Sequence, residues 1–236
     1  MDAELLSRQQ PHSLEAEQSV LGSILIDMGS GTTDVLVLLG GAPICSLSIP
    51  VGSSFITNDI VYVKGIAFDT AESTKIKYGC CWEPLLDEDE EVVIPGIGGR
   101  GPESISRREL CQIIQARVDE IFNMVRVEIV RQTKLTQLSG NVVLTGGGAQ
   151  LMGIVELAQK VFKTTAVRIG TPGNFGGKTE VYRTPEYATA IGLLLGSNEG
   201  RRRIDTKRNK QYNRSEDTKS KATVLSGLKN LFKEFF

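Results

Sequence analysis

The stretch "ILIDMGSGTTDVLVLLGG", residues 24–41, sets two apolar runs on either side of a turn built from Gly, Ser and Thr, with an aspartate at each mouth. A hairpin that only reverses the chain needs one Gly or Asn and no carboxylate at the edge of the core. Gly29, Ser30 and Gly31 let backbone approach a ligand closely and turn several N–H groups one way, a geometry that binds anions. Thr32 and Thr33 add hydroxyl donors suited to phosphate oxygens. Asp27, at the end of the entering strand, can hold a hydrated Mg²⁺ or orient a water. Asp34 reads as a cap of the turn or a support for the threonines. Taken alone, the segment is also compatible with a strained hairpin of purely structural purpose.

Working outward, Ile24–Ile26 and Asp34–Leu39 read as strands, and Gly40-Gly41 turns the chain into a third, "APICSLSIP", so that a meander follows from local signals. "SSFITNDIVYVKG" predicts a helix closed by Gly65; "FDTAESTKIKYG" predicts another, entered at Asp69 or Thr70 and stopped by Gly79. Glu72 and Lys75 lie three apart on that helix and share a face that could grip a ribose hydroxyl and an adenine edge. Asp69-x-x-Glu72 is equally a capping box, and Glu72 with Lys75 equally a solvated pair. Residues 83–103 are acidic and then rich in Pro and Gly, with one short strand at Val92–Ile94. A long amphipathic helix is expected after Ser104, its apolar stripe running through Leu110, Ile113/Ile114, Val118, Ile121/Phe122, Val125 and Ile129.

"VVLTGGGAQL", residues 142–151, repeats the logic of the first turn: a buried strand enters Gly146-Gly147-Gly148 and a helix is expected to open beyond. Such a turn offers helix N-terminal amides to phosphate, or lets backbone lie against a flat ring. It has neither a Walker A Gly-Lys-Ser/Thr nor GxGxxG spacing, and alone it is compatible with a tight turn. Two such turns in one chain favour a nucleotide held between two strand ends. A strand around "AVRIG" and a helix in "PEYATAIGLLLG" complete the body.

Composition narrows the chemistry. The single histidine, His12, excludes serine-protease-type triads and histidine metal clusters. The four cysteines have no zinc spacing, and adjacent Cys80-Cys81 is a poor disulfide pair, which fits a reducing cytoplasm. No apolar run approaches the length of a bilayer span. Residues 200–221 carry +6 while residues 1–199 carry −8, so an acidic body bears a basic tail suited to an anionic membrane or nucleic acid. The last residues, "TVLSGLKNLFKEFF", place Val224/Leu225, Leu228, Leu231/Phe232 and Phe235/Phe236 on one stripe flanked by Lys229 and Lys233. Following a polar linker, such a helix reads as interfacial rather than as packed core.

The wording and order of "IDMGSGTTDVLVLLGGAPICSLSIPVGSSFITNDI", "DTAESTKIKYGCC", "NVVLTGGGAQLMGIVELAQKVF" and "TPEYATAIGLLLG" closely resemble the second half of the bacterial cell-division family FtsA, from about Ile26 to the end of the chain. The resemblance implies an α/β, actin-like (ribonuclease H-like) half-fold with a mixed sheet over residues 23–199. It further implies a small subdomain inserted at 84–140, a disordered basic linker at 200–222 and an amphipathic membrane-targeting helix at 223–236. It makes residues 27–34 the second phosphate loop, Gly146–Gly148 part of the adenosine motif, and Glu72 and Lys75 nucleoside contacts, with ATP and Mg²⁺ as cofactors and Asp27 at the metal. It implies tethering of the tubulin-like filament protein FtsZ to the cytoplasmic face of the membrane at the division site, through Leu225, Leu228, Leu231, Phe232, Phe235 and Phe236. Arg107, Arg108 and Arg117 become the candidate patch for the acidic FtsZ tail; self-association is possible and nucleic acid is not expected. The family's first phosphate loop has no counterpart in the 26 residues before Asp27, so unaided ATP binding is expected to be weak. Residues 1–22 instead resemble the N-terminal start of the replicative helicase DnaB, without its ATPase core. The rival readings are a nucleotide-switched, actin-like relative of pilus-assembly ATPases and a helicase-associated interaction fragment.

Overall fold

The computed structural model describes residues 22–87, 90–95, 101–135, 140–173 and 180–197. The leader up to residue 21, the basic linker and the terminal apolar stripe from Leu225 to Phe236 lie outside the described residues.

The opening segment forms the expected meander. Strands β1 (Ser23–Met28), β2 (Thr33–Leu39) and β3 (Ala42–Ile49) pair antiparallel. The β2–β3 reversal is a two-residue turn in which Gly40 and Gly41 both have positive φ, 57° and 82°, the combination that matches strand twist and that glycine adopts without a steric penalty. β1 then pairs in parallel with β6 (Asn141–Thr145), and β6 in parallel with β7 (Val167–Ile169). The result is a mixed five-stranded sheet in the order β3-β2-β1-β6-β7. β6 is buried from Val142 to Thr145, whereas β1 and β2 alternate, with Ile24, Ile26, Met28, Val35 and Val37 facing the core. That contrast is the burial signature of a central parallel strand beside half-covered antiparallel ones.

Helix α1 (Ser53–Lys64) closes at Gly65, whose left-handed backbone directs its N–H to the Val61 carbonyl. Helix α2 (Phe68–Tyr78) starts earlier than the sequence suggests, with Ala67 at its N-cap and no side-chain cap, so the Asp69-x-x-Glu72 capping box does not form. Strands β4 (Glu91–Ile94) and β5 (Glu103–Ser106) make a separate antiparallel pair. β5 corrects the expectation that the long helix begins just after Ser104: Ile105 pairs with Val92 and is buried. The helix, α3 (Arg107–Thr133), is capped instead by Ser106, whose hydroxyl accepts from the Glu109 N–H at 3.3 Å.

The buried positions of α3 are Leu110, Cys111, Ile114, Val118, Ile121, Phe122, Val125 and Ile129, the stripe read from its periodicity with Cys111 added and Ile113 only partly buried. Seven of them share one hydrophobic core with β1, β2, β6, α1 and the β4–β5 pair, so β4, β5 and α3 are joined to the sheet through packing. Helix α4 (Ile154–Phe162) closes this core, its Phe162 ring tilted against Phe122 at 5.6 Å. The four cysteines are free and buried. "PEYATAIGLLLG" begins as a single 3₁₀ turn, Pro185–Tyr187, before the chain becomes helical at residues 188–197. The described residues from Thr189 to Ser197 belong to a unit separate from the body. Among the described residues, no helix is long and apolar enough to cross a membrane.

Candidate functional site

Because β1 and β6 are parallel neighbours in register, with Asp27 opposite Thr145, both Gly-rich bends leave the same edge of the sheet. Turns beyond the carboxyl ends of parallel strands are where open α/β sheets bind ligands. The bends also touch. A β-carbon at Gly146 would stand 2.3 Å from Asp27 Oδ1 and 2.6 Å from the Met28 carbonyl oxygen, and Gly146 has φ +82°. One at Gly148 would lie 2.4 Å from the Met28 side chain. Gly147, between them, is exposed, and a β-carbon there would meet nothing within 4 Å, so two of the three glycines serve the fit against β1 and one presents open backbone.

The second bend does not open an α-helix. Gly147–Gln150 make one 3₁₀ turn, and α4 starts only at Ile154, after Gly153. The expectation that helix N-terminal amides face a ligand at the triple glycine is therefore corrected: what the bend offers is backbone surface, the geometry suited to a flat ring. The bend is braced from behind by a contact that sequence reasoning missed. Thr145 Oγ1, buried, lies 3.1 Å from both the Gly170 and Pro185 carbonyl oxygens, and the Gly146 N–H donates to Pro185 at 3.0 Å. The polar residue ending the otherwise apolar run "VVLT" was the available signal.

The first bend lies against the start of α1. The Ser53 and Ser54 N–H groups donate to the Gly29 and Ser30 carbonyls at 2.9 Å, and Ser54 Oγ adds a bond to Ser30 at 2.8 Å. Gly52 permits this approach, since a β-carbon there would meet the same two carbonyl oxygens at 2.6 and 2.5 Å. Ser30, Gly31 and Thr32 remain exposed. Thr32 Oγ1 donates to Asp34 Oδ2 at 3.0 Å, the supporting role read for Asp34. Thr33 is corrected: it is fully buried and its hydroxyl donates inward to the Val51 carbonyl at 2.7 Å, because strand alternation turns it toward the core. Asp27, half-buried and opposite Asp34 across the hairpin, remains at the mouth of the bend. Asp27 there fits a magnesium ion whose other ligands would be phosphate and water, and among the described residues no cluster of three or more His, Cys, Asp or Glu side chains offers a protein-only cage.

Glu72 and Lys75 are paired, but not as a solvated couple. Lys75 is 5% exposed and its ammonium donates to Glu72 Oε2 at 2.8 Å, Thr57 Oγ1 at 2.9 Å and the Ser53 carbonyl at 3.1 Å. Thr57 in turn donates to Glu72. Burial disfavours the Glu72 charge, yet the hydrogen bonds from Lys75 and Thr57 and the Lys75 charge outweigh it, holding the carboxyl below its ordinary range. The three arginines are each engaged within the chain. Arg107 pairs with Glu90 at 2.8 Å, Arg108 with Glu83 at 2.7 Å, and Arg117 grips Asp59 with two nitrogens, at 2.5 and 2.7 Å, while also reaching Glu120.

Comparison with known proteins places this geometry. The family model Cell division protein FtsA matches residues 24–192. FtsA of Escherichia coli (strain K12) is 40% identical over 188 residues, 77% of this chain and 44% of that protein. FtsA of Borreliella burgdorferi is 38% identical over 226 residues, 95% of this chain and 53% of that protein. The chain thus spans about half the length of the curated relatives it matches. Among solved structures, MreB5 of Spiroplasma citri bound to ADP superposes with a TM-score of 0.61 at 21% identity, over 80% of this chain and 56% of that one. A chain of the PilM–PilN type IV pilus biogenesis complex follows at 0.52 and 19%, over 77% and 48%. The fold is the mixed α/β one of the actin-like proteins, as the resemblance implied.

Proposed function

Because this chain belongs to the FtsA family of cell-division proteins, we propose that it acts in division as a nucleotide-responsive link between FtsZ filaments and the cytoplasmic face of the membrane. The 29–32 turn would hold the nucleotide's phosphates and Asp27 its Mg²⁺, which would neutralise phosphate charge, and the open backbone at Gly147 would take the base. Residues 223–236 insert their Leu and Phe stripe into the lipid interface, and the basic linker adds attraction to anionic headgroups of about 1 kcal/mol per charge near the surface.

The observation that carries the nucleotide part is the contact of Asp27 with Gly146 at the shared end of two parallel strands, which supports one ligand meeting both bends. For the FtsZ tail, Arg107 and Arg108 suit the role better than Arg117. A carboxylate peptide could take the place of Glu90 and Glu83 in those ion pairs, whereas displacing the doubly bonded Asp59 would loosen α1 from α3.

Vesicle flotation tests the tether. The chain is expected to float with anionic vesicles, less so as salt rises, and to stay at the bottom once residues 224–236 are deleted. Flotation that survives the deletion would refute the assignment of the anchor.

A further inference from the structure

Resting on the reading that the 29–32 turn takes phosphate, we propose that Ser53 and Ser54 are positioning residues of that turn, which aim its N–H groups and pass the dipole of α1 to them. The Ser53 N–H donates to the Gly29 carbonyl and the Ser54 N–H to the Ser30 carbonyl, each at 2.9 Å, and Ser54 Oγ adds a second bond to Ser30 at 2.8 Å. In a planar trans peptide the N–H points opposite to the carbonyl of the same unit. With both carbonyls held toward α1, the Ser30 and Gly31 N–H groups therefore face away from it. Both residues are exposed, so that side is open to an arriving anion. Gly52 sets how closely the two segments approach. Its backbone is extended, so glycine serves space there rather than conformation: a β-carbon would meet the Ser30 and Gly29 oxygens at 2.5 and 2.6 Å.

The helix end is not itself the anion site. Its first three N–H groups are taken inside the protein, Ser53 and Ser54 by the turn and Phe55 by the Gly52 carbonyl at 3.1 Å. A helix of 12 residues nonetheless carries partial positive charge at this end. A peptide group that accepts a hydrogen bond at its oxygen becomes a stronger donor at its nitrogen. The 29–30 and 30–31 peptide groups each accept from α1, and so extend its dipole by one hydrogen bond toward the open side of the turn. An anion there meets two polarised N–H groups held in one direction. Without the brace, the turn would have to give up backbone freedom when phosphate arrives, and binding would weaken accordingly.

The experiment measures binding of magnesium pyrophosphate and of adenosine to the full chain by calorimetry, alongside the amide proton shifts of Ser30 and Gly31 in the ligand-free protein by NMR. Ser54→Ala removes one bond to the turn and is expected to weaken pyrophosphate about threefold, while Ser54→Thr, which keeps the hydroxyl, restores it. Ser53→Pro is the stronger variant. Proline suits the first helical position after the extended Gly52, yet it lacks the N–H that holds Gly29. It is expected to weaken pyrophosphate about tenfold and to move the Ser30 amide proton upfield, with adenosine changing less than about twofold in all three variants. Should Ser53→Pro fail to fold, Ser54→Ala against Ser54→Thr decides alone. Pyrophosphate and adenosine falling together would overturn the inference, as would unchanged pyrophosphate affinity or unmoved Ser30 and Gly31 shifts in the folded variants. A wild-type chain that does not bind pyrophosphate, while those shifts still respond to the substitutions, would overturn the phosphate reading and leave the brace standing.

Discussion

Gly146 and Gly147 are adjacent, yet a single methyl group should act very differently at the two. At Gly146 it meets the Asp27 carboxylate and the Met28 carbonyl from a backbone at φ +82°, so Gly146→Ala is expected to lower stability by about 2–4 kcal/mol, read as a lower thermal midpoint. Gly147→Ala meets nothing and should leave stability within about 0.5 kcal/mol, while its methyl intrudes where the base is proposed to lie and weakens ADP. Glu72 gives a second residue-scale expectation. Its folded carboxyl titrates below the ordinary value, so its stabilisation is complete above the unfolded pKa of about 4.3 and is lost as pH falls through the depressed folded value. Melts of wild type and Glu72→Gln should differ at neutral pH and converge under acid. Of these residues the sequence showed identity and spacing. It did not show that Thr33 points inward or that Lys75 is buried, because both depend on which face of a neighbouring element covers them.

At the scale of elements, α1 and α3 are clasped by Arg117 and Asp59, residues 58 apart in the chain. Both side chains are about a quarter exposed, so water screens the pair in part. Arg117→Ala is expected to cost about 1–3 kcal/mol through loss of the two charge-assisted bonds, seen as a lower urea midpoint with an unchanged slope. The stripe of α3 was legible because a long helix with one buried face writes its period into the sequence. Strand β5 was not: four residues carry little periodicity, and Ile105 becomes a strand residue only through its partner Val92. The Ser106-x-x-Glu109 spacing was the local mark of the true helix start. The beginning of α2 at Phe68, without a side-chain cap, left no such mark.

For the whole molecule, the consequence of the parallel β1–β6 pairing is that one ligand can feel both bends. Asp27→Asn is expected to weaken magnesium ADP by about tenfold or more while leaving adenosine unchanged, which would separate the proposed phosphate end of the site from the proposed base end. The sequence by itself determined the meander, the two Gly-rich bends, the long amphipathic helix and membership of the family. The first three are local patterns of apolar period and small residues, and the family is carried by wording spread along residues 24–192. Only the tertiary structure decided that the bends share an edge and that Gly146 and Gly148 fit the end of β1. It alone closed Thr145 against Pro185 and buried Lys75 against the start of α1. Those outcomes depend on which strand pairs with which across more than a hundred residues, and no local signal encodes the identity of a distant partner.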